Sequence, residues 1–560
     1  MNFNNLQQRA ADCLAHDKYN EAITLYEQCI EANPTVGSNY WQLGLALLLQ
    51  KKELAAKNIW LSGFTKINPE NFEVGKIELI KILEVEALLQ LHRGNSQNAE
   101  MIYWQVIEYA PNNIKADACN SLGIIFTKQG QYEQAIACYQ QALSFEPNYI
   151  DACKNLGVVF TKQGQYEQAI ACYQQALSFE PNCLGSYNNL GAVFMKQGQY
   201  EQAIACYQQA LNLNPNYIDA YNNLGAVFTE QGQYEQAIAC YIQALELNPN
   251  DALAHFNLAF ILLLAGDFEH GFTEYEWRWQ CPQHLESYPS RKLSQPLWDG
   301  SNLDDRTLLL HSEQGFGDTI QFIRYAPLVA QRGGRVVLEC QEPLVRLLKT
   351  VTGIEQFVVK GKALPEFHVH APLMSLPRIL GTTLENLPAQ VPYLAAPESS
   401  INLKAPTDSR LKVGIVWAGS STNQRDRTRS CFLNHFLRLL DTPSVAFYSL
   451  QKGPRAAELT QSCEPSVQDL SSHLGDFADT AAAVAQLDLV ITVDTSVAHL
   501  AGAMNKPVWV LLSFSADWRW MLGREDSPWY PSMRLFRQES PGDWAGLLQQ
   551  VETVLQTHLI

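Results

Sequence analysis

Residues 487–512 read LDLVITVDTSVAHLAGAMNKPVWVLL. Two apolar runs, bounded by turn signals, predict two buried strands. Between them a polar turn at Asp494, Thr495 and Ser496 opens a short helix that carries His499. Such a strand–turn–helix–strand unit predicts parallel strands, with the turn at the carboxyl end of the first. Open α/β sheets bind ligands at these ends, and the free N–H groups and dipole of the helix suit an anion.

Further apolar runs alternate with helical patterns upstream. RTLLLHSE, the turn QGFGD, the helix TIQFIRYAPLVAQRG, RVVLEC and FHVHA make one series. After a polar break at residues 393–408 come LKVGIVWAG, a helix near 431–440, VAFYSLQ, ADTAAAVAQ and the segment quoted above. Two βα series joined by a polar linker predict two doubly wound domains facing each other across a cleft. The stretch QCPQHLESYPSRKLSQPLWDG, 280–300, reads as a Pro-rich linker ahead of them.

The first half has a different grammar. Gly123, Gly157, Gly191 and Gly225 stand 34 residues apart, as do Ala135, Ala169, Ala203 and Ala237, and Pro147, Pro181, Pro215 and Pro249. Gly and Ala let helices approach closely, Tyr and Leu fill the gaps, and Pro starts the next unit. This pattern resembles that of tetratricopeptide-repeat proteins. Weaker copies begin with Tyr19, Ala22, Tyr26 and Pro34, continue at Leu43-Gly44, and return at Ala99, Tyr103 and Pro111 after an insertion near 71–79. The last unit, from about Ala252, replaces its Gly by Ala259 and ends in EYEWRW. Eight units over residues 1–285 are expected.

Asn155, Asn189, Asn223 and Asn257 recur two residues before the Gly position, on the helix that lines the concave face in this family. Each carboxamide offers both donor and acceptor to an extended peptide. The series resembles the asparagine ladder of the tetratricopeptide O-GlcNAc transferases, which implies a peptide or protein partner in the groove. The other use of such residues is to solvate the groove or bond the neighbouring repeat.

Composition narrows the field. Of 560 residues, 47% are apolar and 17% charged, which suits a folded chain of several domains. A formal charge of −17 argues against nucleic acid, whose affinity rests on Lys and Arg. The start MNFNNLQQRAADC has neither the basic region nor the apolar core of a signal peptide. Apolar runs such as 258–265 fall far short of a bilayer span, so no transmembrane segment is expected. Among thirteen cysteines there is no CxxC, and Cys138, Cys172, Cys206 and Cys240 share one register, which reads as small buried residues in a reducing compartment. A cytoplasmic setting is expected.

HSEQGFGDTIQF, 311–322, and VITVDTSVAHLAGA, 490–503, resemble the two landmarks of glycosyltransferase family 9, the heptosyltransferases and their relatives. The resemblance spans roughly residues 305–540, with Ser496 where the heptosyltransferases usually have Gly. It implies the GT-B plan of two facing Rossmann-like lobes, 286–400 and 401–560, the second ending in a helix; with the repeats, the expected fold is an α-solenoid of tetratricopeptide repeats followed by these α/β lobes. It also implies a nucleotide-sugar donor and a single inverting displacement.

Within that expectation Asp318 is the candidate base for the acceptor hydroxyl, as the corresponding Asp of the family is proposed to be, and Glu313 is the reserve. Asp318 has a second use, as the cap of the helix that follows. Gly315 and Gly317 allow close backbone approach to substrate. Thr495, Ser496 and the helix N–H groups suit a diphosphate; Asp494, itself anionic, suits capping or sugar hydroxyls; His499, protonated or as an N–H donor, suits the leaving group. Its other use is as a packed histidine. In GSSTNQRDRTRS, 419–430, Ser420, Arg425, Arg427 and Arg429 suit phosphate, and Arg429 falls about where the family keeps a Lys. Lys452 is a further candidate, and Trp518, Trp520 and Trp529 either stack on a ligand or pack.

No Asp-x-Asp triplet, zinc spacing or GxxxxGK[ST] loop occurs. No cofactor or metal is therefore expected. Two other readings remain open: a repeat scaffold whose C-terminal lobes bind a nucleotide sugar without turnover, and a nucleotide-sugar epimerase of the same two-lobed plan.

Overall fold

The computed structural model describes residues 3–66, 72–289, 291, 293–399, 401–404, 409–420, 426–462 and 466–558, apart from the side chains of 283, 427 and 558. The chain divides into two units, Met1–Leu224 and Gly225–Ile560.

The first unit is built of antiparallel helix pairs, from Phe3–Ala15 with Tyr19–Ala32 through Leu184–Lys196 with Tyr200–Leu213. The turn between paired helices needs a left-handed residue, and Gly130, Gly164 and Gly198 supply it at φ of 74°, 74° and 73°. Inside each pair a ring sits on a bare glycine. A Cβ on Gly123 would lie 2.4 Å from the Tyr139 ring, and one on Gly191 2.7 Å from Tyr207. Tyr139 also reaches the Thr127 hydroxyl at 3.2 Å. In the next-but-one repeat Met195 replaces that threonine, and the buried Tyr207 hydroxyl has no hydrogen-bond partner. The insertion near 71–79 lengthens one helix, Phe72–His92, to 21 residues against 13 for Ile150–Lys162.

The second unit contains the last repeat and two parallel sheets. Ala252–Ala265 is capped by Asp251, whose carboxylate accepts the Ala254 N–H at 2.7 Å, and it stops at Gly266, φ 92°. Phe268–Tyr275 follows and tightens into a 3-10 turn, Glu276–Trp279.

Strands β1 (Thr307–His311), β2 (Arg335–Cys340), β3 (Gln356–Val359) and β4 (Val369–Pro372) lie in the order β3-β2-β1-β4. Strands β5 (Leu411–Val416), β6 (Val445–Ser449), β7 (Val467–Asp469), β8 (Leu489–Val493), β9 (Val508–Leu512) and β10 (Met533–Arg537) lie in the order β10-β9-β8-β5-β6-β7. Every neighbouring pair is parallel, with Leu309 opposite both Val337 and His370, and Ile415 opposite both Ser449 and Ile491. Strand order reverses between β1 and β4 and between β5 and β8, the places where open α/β sheets bind ligands at the carboxyl edge. The expected helix TIQFIRYAPLVAQRG is broken into Phe316–Phe322, a 3-10 turn Ile323–Tyr325 and Ala326–Ala330, because Pro327 removes a donor and crowds the preceding turn.

One hydrophobic core joins these parts. Leu263, Phe268, Phe272 and Tyr275 of the last repeat share it with Leu308 and Leu310 of β1, Ile320 and Phe322, and Val497, Leu500, Trp518 and Trp529. Among the described residues no helix is long and apolar enough to cross a membrane.

Candidate functional site

β1 ends at His311, and a turn leads into the helix Phe316–Phe322. Gly315 takes the N-cap place and Asp318 the third helical position, where its Oδ2 accepts the Gly315 N–H at 2.8 Å. The capping use of Asp318 is therefore realised within the helix rather than ahead of it. Its other oxygen, Oδ1, accepts from Arg519 Nη2 at 2.6 Å. Burial raises the Asp318 carboxyl above its usual range, with Arg519 and the Gly315 N–H pulling the other way.

Arg519 stands in the 3-10 turn Trp518–Trp520 after β9, only 9% exposed. Its Nε donates to Gln321 Oε1 at 2.8 Å and its Nη1 to Asp517 Oδ1 at 2.7 Å. Asp517 caps the turn by accepting the Arg519 N–H at 3.1 Å. One guanidinium thus links the turn after β9 to the helix after β1.

A second link is steric. A Cβ on Gly317 would lie 2.9 Å from His499 Cδ2 and 3.6 Å from Ser496 Cα. The glycine lets the helix Phe316–Phe322 lie directly against Ser496–Ala503, so the close approach it permits is between helices. His499 is buried, stacks on Trp520 at 5.2 Å, and shares a 3.0 Å hydrogen bond with the Tyr530 hydroxyl through Nδ1. Burial, aided by Arg519, lowers its pKa to about 3. That favours the neutral imidazole, the N–H form of its expected role.

The N-cap of Ser496–Ala503 is Thr495, not Asp494, and its side chain makes no cap bond; its hydroxyl instead meets Thr492 Oγ1 at 3.0 Å. Asp494 lies just before it. Burial and the Asp517 carboxylate raise its pKa, while Arg429, the Trp520 indole and Arg519 lower it. Arg429 closes the wall from the loop after β5. Its Nη2 would lie 2.8 Å from a Cβ on Gly419, its Nε is 3.7 Å from Asp426, and that buried Nε has no hydrogen-bond partner. Ser420 is exposed at the mouth of the same loop. Arg425 and the side chain of Arg427 lie outside the described residues.

Other expected residues stand apart. Glu313 is committed: Arg278 donates to both its oxygens, at 3.0 and 3.1 Å, and the Met374 N–H adds a third bond at 3.2 Å. With its side chain 3% exposed, no face is left for an acceptor hydroxyl. Lys452 donates to the Ser471 carbonyl at 2.8 Å. Trp518, Trp520 and Trp529 are fully buried, Trp529 stacked on Phe268 at 5.5 Å, so they pack rather than offer a ligand platform. In the first unit Asn155 donates to Asn120 at 3.0 Å and Asn223 to Asn188 at 2.8 Å, the bond to the preceding repeat. Asn189 and, in the second unit, Asn257 are half-buried.

Sequence reasoning missed Arg519, Asp517, Arg324 and Tyr530. Buried Arg324 donates to the Trp529 carbonyl at 2.8 Å and lies 4.6 Å over the Tyr530 ring, which in turn holds His499. The only signal was an arginine between tryptophans in DWRW. Among the described residues no group of three or more His, Cys, Asp or Glu is placed to hold a metal ion.

Comparison with known proteins gives these matches. The model of glycosyltransferase family 9 (heptosyltransferase) matches residues 445–541, which include Asp494, His499 and Arg519 but neither Asp318 nor Arg429. Models of the tetratricopeptide repeat match 16–36, 123–164, 157–198, 193–230 and 225–266. Protein FlbA of Caulobacter vibrioides is 29% identical over 317 residues, covering 51% of this chain and 52% of FlbA. The chain thus spans about half the length of that curated relative. Of solved structures, MamA from Desulfovibrio magneticus RS-1 is 22% identical over 31% of this chain and 96% of its own, at a TM-score of 0.28. Pseudomonas aeruginosa PilF is 26% identical over 30% and 76%, at 0.28.

Proposed function

We propose that this chain, which joins tetratricopeptide repeats to a glycosyltransferase family 9 domain, transfers a sugar from a nucleotide-sugar donor to a protein or glycan acceptor that the repeats select. The observation that carries the reading is the convergence of Asp318, Arg519, Asp494, Arg429 and His499 where the loops after β1, β5, β8 and β9 meet. Two parallel sheets whose strand orders each reverse once support the GT-B plan of facing Rossmann-like lobes.

In this reading Asp318 takes the proton of the acceptor hydroxyl, whose oxygen attacks the anomeric carbon as the bond to the donor phosphate breaks. Attack opposite the leaving group inverts that carbon in one displacement. Arg429 and the N–H groups at the start of Ser496–Ala503 take up the charge of the departing diphosphate, with the neutral His499 as a further donor. Glu313, bound at both oxygens by Arg278, holds the turn instead of acting as base. No metal enters this scheme. In the first unit Asn189 remains the candidate for gripping an acceptor chain, since Asn155 and Asn223 already bond their neighbours; Asn257 is the candidate in the second.

A non-catalytic scaffold is the second reading, favoured by the ion pair that already occupies Asp318. The full chain incubated with ADP-, UDP- and GDP-sugars separates the two. Consumption of one donor, lost in Asp318→Asn while donor binding is kept, supports the transferase. Binding with no consumption leaves the scaffold.

A further inference from the structure

We propose that Arg519 is a displaceable latch on the base: it pairs with Asp318 while the donor place is empty and turns to the donor's diphosphate when it arrives, freeing Asp318 for the acceptor. The inference rests on the transferase reading and adds to it an order of events, donor before acceptor, and a residue that enforces it.

The two oxygens of Asp318 have different duties. Oδ2 closes the helix cap with the Gly315 N–H, a fixed backbone bond. Oδ1 carries the bond to Arg519. A guanidinium on Oδ1 takes up one of its lone pairs and lowers the basicity of the whole carboxylate. Asp318 is a stronger base, with Oδ1 open, once Nη2 has let go.

Arg519 can only turn as one rigid plane. Its Nε bonds Gln321 and its Nη1 bonds Asp517, so when Nη2 gives up Asp318 the guanidinium swings as a unit and Nη1 gives up Asp517 with it. Its place after β9 keeps it beside the Asp494–His499 turn, where Asp494 and His499 both respond to its charge.

Two donors of this cluster have no hydrogen bond: Nε2 of Gln321, the residue that holds Arg519, and Nε of Arg429, whose Asp426 partner stands at 3.7 Å. Buried N–H groups are rarely left unpaired without a reason, and an anion within reach of either would supply it. A diphosphate, with several oxygens and at least two charges, is the chemical class that fits, and a guanidinium binds such oxygens in pairs. Around Arg429 and Arg519 stand the carboxylates of Asp318, Asp426, Asp494 and Asp517, with burial raising the pKa of Asp318 and Asp494. A guanidinium held on a carboxylate offers a diphosphate less than one turned towards it.

When transfer follows, the acceptor oxygen bonds the anomeric carbon and the carbon–phosphate-oxygen bond breaks. That electron pair leaves on the nucleoside diphosphate beside Arg519, and the hydroxyl proton goes to Asp318. Facing Asp318 are Arg519 and Asp517 from the turn after β9, Arg429 from the loop after β5, and Tyr288 from the segment before β1. The acid limb of turnover therefore reports how much positive charge stands on Asp318.

The test uses the full chain with whichever nucleotide sugar it consumes. In the wild type the acid limb of kcat/KM, set by the free enzyme, is expected at lower pH than that of kcat, set by the donor complex. Arg519→Gln is expected to move the kcat/KM limb up towards that of kcat and to raise donor KM about tenfold or more, and Arg519→Lys to recover part of both. Asp318→Asn, which removes the latch's other half, is expected to bind donor about twofold to fivefold more tightly by calorimetry although turnover is lost. Unchanged KM and an unmoved limb in Arg519→Gln overturn the latch and leave the transferase standing. If that variant does not fold, donor binding by Asp318→Asn decides: no tightening overturns the latch. A wild type that consumes no ADP-, UDP- or GDP-sugar overturns the transferase reading itself, and the latch with it.

Discussion

Replacing Arg278 by Met tests how the last repeat holds the turn that carries the candidate base. Arg278 is fully buried; it binds Glu313 through Nε at 3.0 Å and Nη2 at 3.1 Å, Glu276 at 2.7 Å and Ser375 at 2.7 Å, and lies 4.7 Å over the Trp279 ring. Methionine keeps most of the stem and removes the charge. Glu313 is then a buried carboxylate with one remaining bond, from the Met374 N–H, and with Glu276 close by. Breaking one side of a buried ion pair costs about 3–5 kcal/mol, a large part of the roughly 5–15 kcal/mol that holds a domain folded.

The cost depends on pH in a defined direction. Burial raises the Glu313 pKa and Arg278 opposes it, so the variant moves it further up. A carboxyl whose folded pKa lies above its unfolded value adds stability that is complete below the unfolded value, about 4, and is lost as pH climbs through the folded one. The deficit of Arg278→Met is therefore small in acid and reaches full size near neutrality. Hydrogen exchange of peptides covering 307–322 in the full chain, corrected for intrinsic rate, reads it locally, where a single unfolding free energy is not defined for a multidomain chain. Pairing Arg278→Met with Glu313→Gln recovers most of the protection. Equal protection in variant and wild type at neutral pH, or a deficit independent of pH, would refute the reasoning.

Gly317→Ala places a Cβ 2.9 Å from His499 and pushes two packed helices apart, at about 1–3 kcal/mol; it should lower the melting temperature and weaken donor binding together. Tyr207→Phe removes a buried hydroxyl with no partner and should stabilise the array by up to about 1 kcal/mol, whereas Tyr139→Phe, which breaks the contact with Thr127, should destabilise it; denaturant melts of the two variants give opposite signs. His499, held at about 3, should show no imidazole titration by NMR between pH 5 and 8. Its folded value lies below the unfolded one of about 6.5, so its share of stability is whole above that pH and drains away as acid is added.

The fold was readable where physics writes locally. Parallel strands buried on both faces appear as unbroken apolar runs, and TLLLH, LVITV and VWVLL are of that kind. Gln356–Val359, Val467–Asp469 and Met533–Arg537 escaped because exposed residues interrupt them at or near the sheet edges. The repeats declared themselves through the glycine–tyrosine contact, which recurs with the period of the chain. Asp318 and the Asp494–His499 turn were visible because strand ends and helix starts have local signatures. Arg519 was not, since its meaning comes from a carboxylate 201 residues earlier. Arg278 and Arg324 were hidden for the same reason. Whether an arginine is solvated, stacked or buried on a carboxylate is decided by neighbours distant in sequence. The tryptophans misled in the opposite sense, because a large ring reads alike whether it faces ligand or core.

The four near-identical helix pairs and the shared core of the final pair have opposite evolutionary consequences. A unit whose rings rest on its own glycine can be duplicated or lost in steps of 34 residues, because the replacement offers its neighbours the same surfaces. Recombination between such similar segments would lengthen or shorten the array in whole repeats and leave the sheets untouched. The final pair and the turn after it, Ala252 to Trp279, have no such freedom, since Phe268, Phe272 and Arg278 are matched one by one to Trp529, Trp518 and Glu313. Repeat number can drift in this protein while the last repeat stays matched, ring by ring, to the sheets that follow it.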